Sequence, residues 1–211
     1  MLSEMKISDL LEKTASSEPV PGGGSMSALA AAIAASLVEM VANLTIGRKG
    51  FEDVAEEMTV ISREASRYRK KFTASIDRDS TAYGKVVEAF QLPKSSENEK
   101  ETRSQAIQDA LRLAAEVPLS VAEDVRDFMP FALAAVKKGN PNALTDGLVG
   151  VMMARTGALG ALQNVKINLG SIKDKTYVSN ISGRVREIER LVIQMEKKGM
   201  GLPSTGNPFA A

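Results

Sequence analysis

Pro19-Val20-Pro21-Gly22-Gly23-Gly24-Ser25-Met26-Ser27-Ala28-Leu29-Ala30 is the stretch around which the chain is organised. Pro21 fixes φ, and the three glycines after it give backbone without Cβ, which another group can approach closely. Ser25 is expected to cap the helix that follows, its hydroxyl accepting from an orphan N–H of the first turn. The capping-box partner is missing, because position 28 is Ala rather than Glu or Gln. A helix start with free N–H donors beside a side-chain-free loop has the makings of an anion site. A tight turn whose glycines let two helices pack closely explains the same residues. The spacing is neither the Walker pattern nor GxGxxG.

Downstream, apolar residues fall at Met26, Leu29, Ala30, Ile33, Leu37, Met40, Val41 and Leu44, the rhythm of a helix face. The surrounding alanines suggest burial on most sides, and Gly47-Arg48-Lys49-Gly50 supplies helix-stop signals. Upstream, residues 5–16 read as a short amphipathic helix. A long proline-free helix is predicted from about Phe51 to Phe90, striped by Val54, Met58, Ile61, Ala65, Tyr68, Phe72 and Ile76, then Tyr83, Val86 and Phe90. Leu92-Pro93-Lys94 breaks it. A third amphipathic run starts near Glu97, with Pro118 expected to kink or restart it and Pro130 to kink it again. Gly139-Asn140-Pro141 is a turn. Helices follow over about Asn142–Leu169 and Lys173–Lys198. No strand alternation, repeat or domain linker interrupts the pattern. The expectation is an all-α, single-domain bundle of long helices over 1–198, with a loose Gly/Pro-rich tail over 199–211.

Composition narrows the chemistry. The 211 residues contain 44% hydrophobic and only 4% aromatic residues, a mix that favours helix over sheet. Lys+Arg 27 against Asp+Glu 26 leaves a net charge of +1, so no strong field draws nucleic acid or anionic lipid. No secretory signal opens the chain, and the most apolar run, Met26 to Val38, is too short to span a bilayer. We therefore expect a soluble, cytoplasmic protein with no membrane or nucleic-acid partner. Cysteine and histidine are both absent, which removes thiolate chemistry, the usual neutral-pH acid/base and the commonest metal ligand. No metal and no cofactor are expected. Proton transfer falls to Asp, Glu, Lys or Tyr in a shifted environment.

Three groups break the apolar pattern. Asp79 occupies a stripe position, with Tyr83 one turn later. A carboxylate drawn from water must be paired or hydrogen-bonded, so Asp79 is either catalytic or structural, as an N-cap, a kink or an ion pair with Arg78 nearby. Asp146, Gly150, Met153, Gly157, Gly160, Ala161, Asn164 and Asn168 lie within about 60° of one helical line. That face suits either tight helix packing or the floor of a pocket with amide groups for a heterocycle. Asn43, Thr45, Arg48 and Lys49 crowd one helix end, where they could bind an anionic ligand or merely cap.

The segments Pro21-Gly22-Gly23-Gly24-Ser25, Met40-Val41-Ala42-Asn43-Leu44-Thr45-Ile46-Gly47, Asp79 with Ala82-Tyr83, Leu92-Pro93-Lys94, Val117-Pro118-Leu119, Gly139-Asn140, Asp146, and Asn164-Val165 with Asn168 occur in this order. In that series the chain resembles the cyclodeaminase/cyclohydrolase family of tetrahydrofolate one-carbon enzymes, from about residue 6 to residue 175. Thr145 stands where the family pattern leads us to expect Ser. The resemblance implies an all-helical fold that forms a homodimer, and a folate site among the helices. It implies hydrolysis of 5,10-methenyltetrahydrofolate to 10-formyltetrahydrofolate, with 5-formiminotetrahydrofolate cyclodeamination as the alternative. A non-catalytic helical dimer that binds folate or a protein is the reading outside enzymes. Chemistry laid over the resemblance makes Asp79 and Asp146 the candidates for base and cation stabiliser, and Tyr83 or Lys49 the proton donor. Asn43, Asn164 and Asn168, with Thr45 beside them, suit the pterin edge. The Pro21–Ser25 segment and Lys49 or Lys94 suit the anionic glutamate tail.

Overall fold

The alanine-rich run after the glycines forms α2 (Gly23–Asn43), and the rest of the bundle is built on it. The computed structural model describes residues 1–201. Among these, α1 (Ile7–Ala15), α3 (Ala55–Gln91), α4 (Glu97–Lys138), α5 (Leu144–Leu169) and α6 (Lys175–Met200) complete an all-α fold. Ala28, Ala31, Ala34, Ala35 and Val38 are fully buried, because α3 and α5 both pack on α2. By length and composition α2, at 21 residues, is long and apolar enough to cross a bilayer, which corrects the thirteen-residue reading. Its apolarity is instead spent largely inside the bundle.

α5 runs antiparallel to α2, and its small residues set the approach. Gly147 faces Val41, Gly150 faces Val38 and Ala34, and a β-carbon on Gly157 would lie 2.9 Å from the Ala31 nitrogen and the Ser27 carbonyl. Gly160 meets the Ser27 hydroxyl and Gly23 meets the Asn164 amide. The small-residue face is therefore a helix–helix contact through its middle, and its asparagine end reaches a cavity.

α3 and α4 form a long antiparallel hairpin. Tyr68, Phe72 and Phe128 join them, with the Tyr68 ring 5.8 Å from Phe72 and 5.5 Å from Phe128, centroid to centroid. Ser96 and Glu99 form the capping box that starts α4. α6 lies across α4 and α5, held by Arg155–Glu196, Lys166–Glu189 and Arg184–Glu123.

Three local expectations change. Ser25 is not the cap of α2: Gly22 is, without a side-chain bond, and the Ser25 hydroxyl turns to α3 instead. Pro118 and Pro130 lie inside one continuous helix of 42 residues. Pro118 leaves the Ala114 carbonyl without its usual partner, and the Asn168 amide donates to that carbonyl at 2.9 Å. Pro130 is exposed, where a freed carbonyl loses little. Finally, α6 continues through Gly199 and Met200, with Gly199 buried against Leu133 and Val151. The remainder of the expected tail, 202–211, lies outside the described residues.

Candidate active site

Where α2 begins, α3 passes and α5 ends, a cavity of about 350 Å³ opens, lined by Gly22, Gly23, Gly24, Asp79, Tyr83, Asn164 and Asn168 with Pro19, Val20, Ala114 and Ile167. The glycines make it possible. A β-carbon on Gly24 would lie 2.6 Å from Asp79 Oδ2 and closer still to Oδ1, so only glycine admits the carboxylate against the first turn of α2. The first N–H groups of α2 have no partner four residues back. Met26 is the first residue of the helix to find one, donating to the Gly22 carbonyl.

Asp79 is half-buried, and burial pushes its carboxyl above the ordinary carboxylate range, with hydrogen bonding from Ser25 opposing the shift. The fully buried Ser25 hydroxyl lies 2.9 Å from Asp79 Oδ2 and 3.0 Å from the Ile76 carbonyl. With Asp79 ionised, the Ser25 proton can go to the carboxylate. With Asp79 protonated, Asp79 can donate to Ser25 Oγ while Ser25 donates to Ile76. Both protonation states are hydrogen-bonded, which suits a group that must gain and lose a proton. Among the described residues no Arg or Lys lines the cavity, and Arg78 is exposed. The structural ion-pair reading of Asp79 therefore fails.

The two asparagines present acceptors. Asn164 Nδ2 donates to the Gly160 carbonyl at 2.9 Å. Asn168 Nδ2 donates at 2.9 Å to both the Ala114 and Asn164 carbonyls. Carbonyls on the nitrogen side fix each amide's orientation, and they leave Oδ1 of each without a donor among the described residues. The cavity therefore offers N–H donors from the start of α2 and amide acceptors from the end of α5. That pairing matches the edge of a lactam-like heterocycle.

The other predicted residues lie elsewhere. Asp146, in the first turn of α5, is eighteen residues and so about 27 Å from Asn164 along the helix. Asn43 and Lys49 are exposed at the same far end, where Asn43 Oδ1 accepts from Ser62. Thr45 is fully buried, donating to the Val41 carbonyl and accepting from the Asn140 N–H; it ties the α4–α5 turn to α2 and does not face a ligand. Pro21 and Ser25 are buried behind the cavity rather than lining it. Lys94 is exposed in the α3–α4 link. Sequence reasoning missed Pro19, Val20, Ala114 and Ile167 as wall residues. For Ala114 a signal existed, since Pro118 four residues later frees its carbonyl.

The comparisons agree with this architecture. The family model described as formiminotransferase-cyclodeaminase matches residues 6–187. A methenyltetrahydrofolate cyclohydrolase from Methylorubrum extorquens is 34% identical over 194 residues, covering 92% of each chain. The formimidoyltransferase-cyclodeaminase of Mus musculus is 33% identical over 168 residues, 80% of this chain but 31% of the mouse protein. Among solved structures, formiminotetrahydrofolate cyclodeaminase from Thermotoga maritima superposes with a TM-score of 0.84 at 30% identity, over 94% of this chain and 96% of that one. The chain belongs to the formiminotransferase-cyclodeaminase family.

Proposed function

We propose that this protein hydrolyses 5,10-methenyltetrahydrofolate to 10-formyltetrahydrofolate. One observation carries the reading: a half-buried Asp79, hydrogen-bonded by Ser25, faces an amide-lined cavity in a chain that aligns along nearly its whole length with a cyclohydrolase. The substrate is a cation with an electrophilic carbon between N5 and N10. Ionised Asp79 offsets that charge and takes a proton from water as the water oxygen bonds to the carbon. The protonated Asp79 then donates to N5 and the C–N5 bond breaks. The carbinol proton leaves to solvent as the formyl C=O forms on N10. Because the carbon is already electrophilic, water and a base suffice, and no further cofactor is proposed. The α2 N–H groups and the Asn164 and Asn168 acceptors would hold the pterin edge, and Tyr83 would close the side.

The second reading is cyclodeamination of 5-formiminotetrahydrofolate, favoured by the Thermotoga maritima relative. It passes through a similar tetrahedral carbon and would use the same Asp79. The two are separated by mixing purified protein with 5,10-methenyltetrahydrofolate and following loss of its near-UV band against the spontaneous rate. A parallel reaction with 5-formiminotetrahydrofolate is watched for appearance of that band and for ammonia. Loss in the first alone is expected; appearance in the second makes the protein a cyclodeaminase, and silence in both a binding protein.

We also propose that a second copy completes the site. Ile33 and Met40 of α2, with Val149 and Met152 of α5, are more than a third exposed on one apolar face. A two-fold axis across the middle of that face would set the Lys49 and Asp146 end of one protomer over the Asp79 cavity of the other. That pairing would place the second carboxylate and a cation beside the substrate.

A further inference from the structure

On the proposed function Asn164 and Asn168 hold the pterin edge, and both stand in the last turns of α5. A helix end is its least secure part, because the final carbonyls have no donor within the helix. Here the turn that follows supplies the donors. The Ser171 and Ile172 N–H groups donate to the Asn168 and Leu169 carbonyls, each at 3.2 Å. The order of the cavity wall therefore depends on what holds that turn, and α4 holds it.

Ser104, Gln108, Arg112 and Glu116 recur every four residues and form one column on α4. Ser104 Oγ accepts from Lys173 Nζ at 3.1 Å, Arg112 donates to Asp174 at 2.9 Å, and Glu116 accepts from the Tyr177 hydroxyl at 3.3 Å. Those three contacts join long side chains open to solvent, and such contacts are weak. Gln108 differs, because its half-buried amide grips main chain at two points. Nε2 donates to the Ser171 carbonyl at 3.2 Å, and Oε1 accepts from the Lys173 N–H at 2.7 Å. The two groups flank Ile172, which is buried in the core, so one amide brackets the residue that anchors the turn. A donor on one side and an acceptor on the other also fix the amide's own orientation. Gln108 is six residues from Ala114, about 9 Å along α4, and the Ala114 carbonyl receives Asn168. α4 thus holds the end of α5 at two levels.

We infer that Gln108 is a positioning residue for this reaction: by fixing the turn after α5 it fixes Asn168 and Asn164 Oδ1 against the substrate's heterocycle. It lines no part of the cavity, and Asp79 is held separately, by Ser25 of α2. Loss of Gln108 therefore weakens binding and spares the chemical step.

The test compares KM and kcat for 5,10-methenyltetrahydrofolate in wild type, Gln108→Met and Ser96→Ala. Methionine keeps the length of the side chain and removes both bonds. Ser171 and Lys173 are exposed, so water takes up the freed groups and the fold persists, which circular dichroism checks. Ser96→Ala breaks the capping box of the same helix and is the control for destabilisation alone. Gln108→Met should raise KM about three- to ten-fold with kcat nearly unchanged. Amide hydrogen exchange over residues 168–173 should quicken in the same variant. Ser96→Ala should alter neither KM nor exchange there. An unchanged KM in Gln108→Met, or a fall in kcat in its place, would overturn the inference while leaving the cyclohydrolase reading intact. So would a Ser96→Ala variant that raises KM as far. Wild type without turnover would defeat the cyclohydrolase reading and this inference with it.

Discussion

Asn168 repairs what Pro118 breaks. Proline has no N–H for the Ala114 carbonyl four residues back, and the Asn168 amide, arriving from α5, donates to that carbonyl at 2.9 Å. The repair sets the angle at which the end of α5 meets α4 and turns Asn168 Oδ1 toward the cavity. Packing and site geometry thus share one hydrogen bond.

Asn168→Leu should therefore destabilise the protein by about 1–3 kcal/mol, the usual cost of a buried acceptor left unpaired. In a Pro118→Ala background the helix supplies its own N–H, and the same substitution should cost less. A double-mutant cycle from urea denaturation measures the difference, expected at about 0.5–1.5 kcal/mol. Strict additivity would mean that the two residues act independently.

Asp79→Asn separates catalysis from folding. Burial raises the Asp79 pKa in the folded state, so its stabilising contribution is present below the ordinary carboxylate range and is lost as pH rises through the folded value. At about pH 7 wild type carries a charge-burial penalty that asparagine lacks, and the variant should be more stable there, with the gap closing by about pH 3. Activity should move the other way, falling by about 10²–10⁴-fold with the base removed. Urea midpoints at the two pH values, beside turnover of the methenyl substrate, check both directions.

Ser25→Ala should act through Asp79. The Ser25 hydroxyl lies 2.9 Å from the carboxylate, and its hydrogen bonding favours the ionised form. Without it the Asp79 pKa rises further, so the acidic limb of the pH–rate profile should move to higher pH. Stability should fall by only about 0.5–1.5 kcal/mol. A profile that drops in height without moving would show that Ser25 packs rather than tunes.

Much of this was legible in the sequence, for reasons that also mark where reading stops. The α3 stripe is set by a local period, so Asp79 stood out against it. The asparagines shared a face with the small residues of α5 for the same reason. Helical phase, however, fixes a direction and not a position along the axis. Asp146 shares its face with Asn164 yet stands about 27 Å away, and only the antiparallel register of α5 on α2 shows which end meets the cavity. Ser25 misled because capping rules are local, while its true partners, Ile76 and Asp79, are more than fifty residues away. Pro118 does not restart the helix, because the carbonyl it frees is bonded from another helix.

The distance between Asp79 and Asp146 permits a direct test of the proposed dimer. If each site draws Asp79 from one protomer and Asp146 from the other, Asp79→Asn and Asp146→Asn are each inactive alone yet complement when mixed. In a hybrid dimer one site collects both lesions and the other collects none. Random exchange makes half the dimers hybrid, so about a quarter of all sites should become active. Activity should appear after the two variants are unfolded together and refolded, and not when folded stocks that do not exchange are simply combined. A single chain carrying both substitutions should stay dead under every protocol. If the refolded mixture gains nothing, the partner's Asp146 does not serve the Asp79 cavity, and Asp79 must carry the chemistry with residues of its own chain.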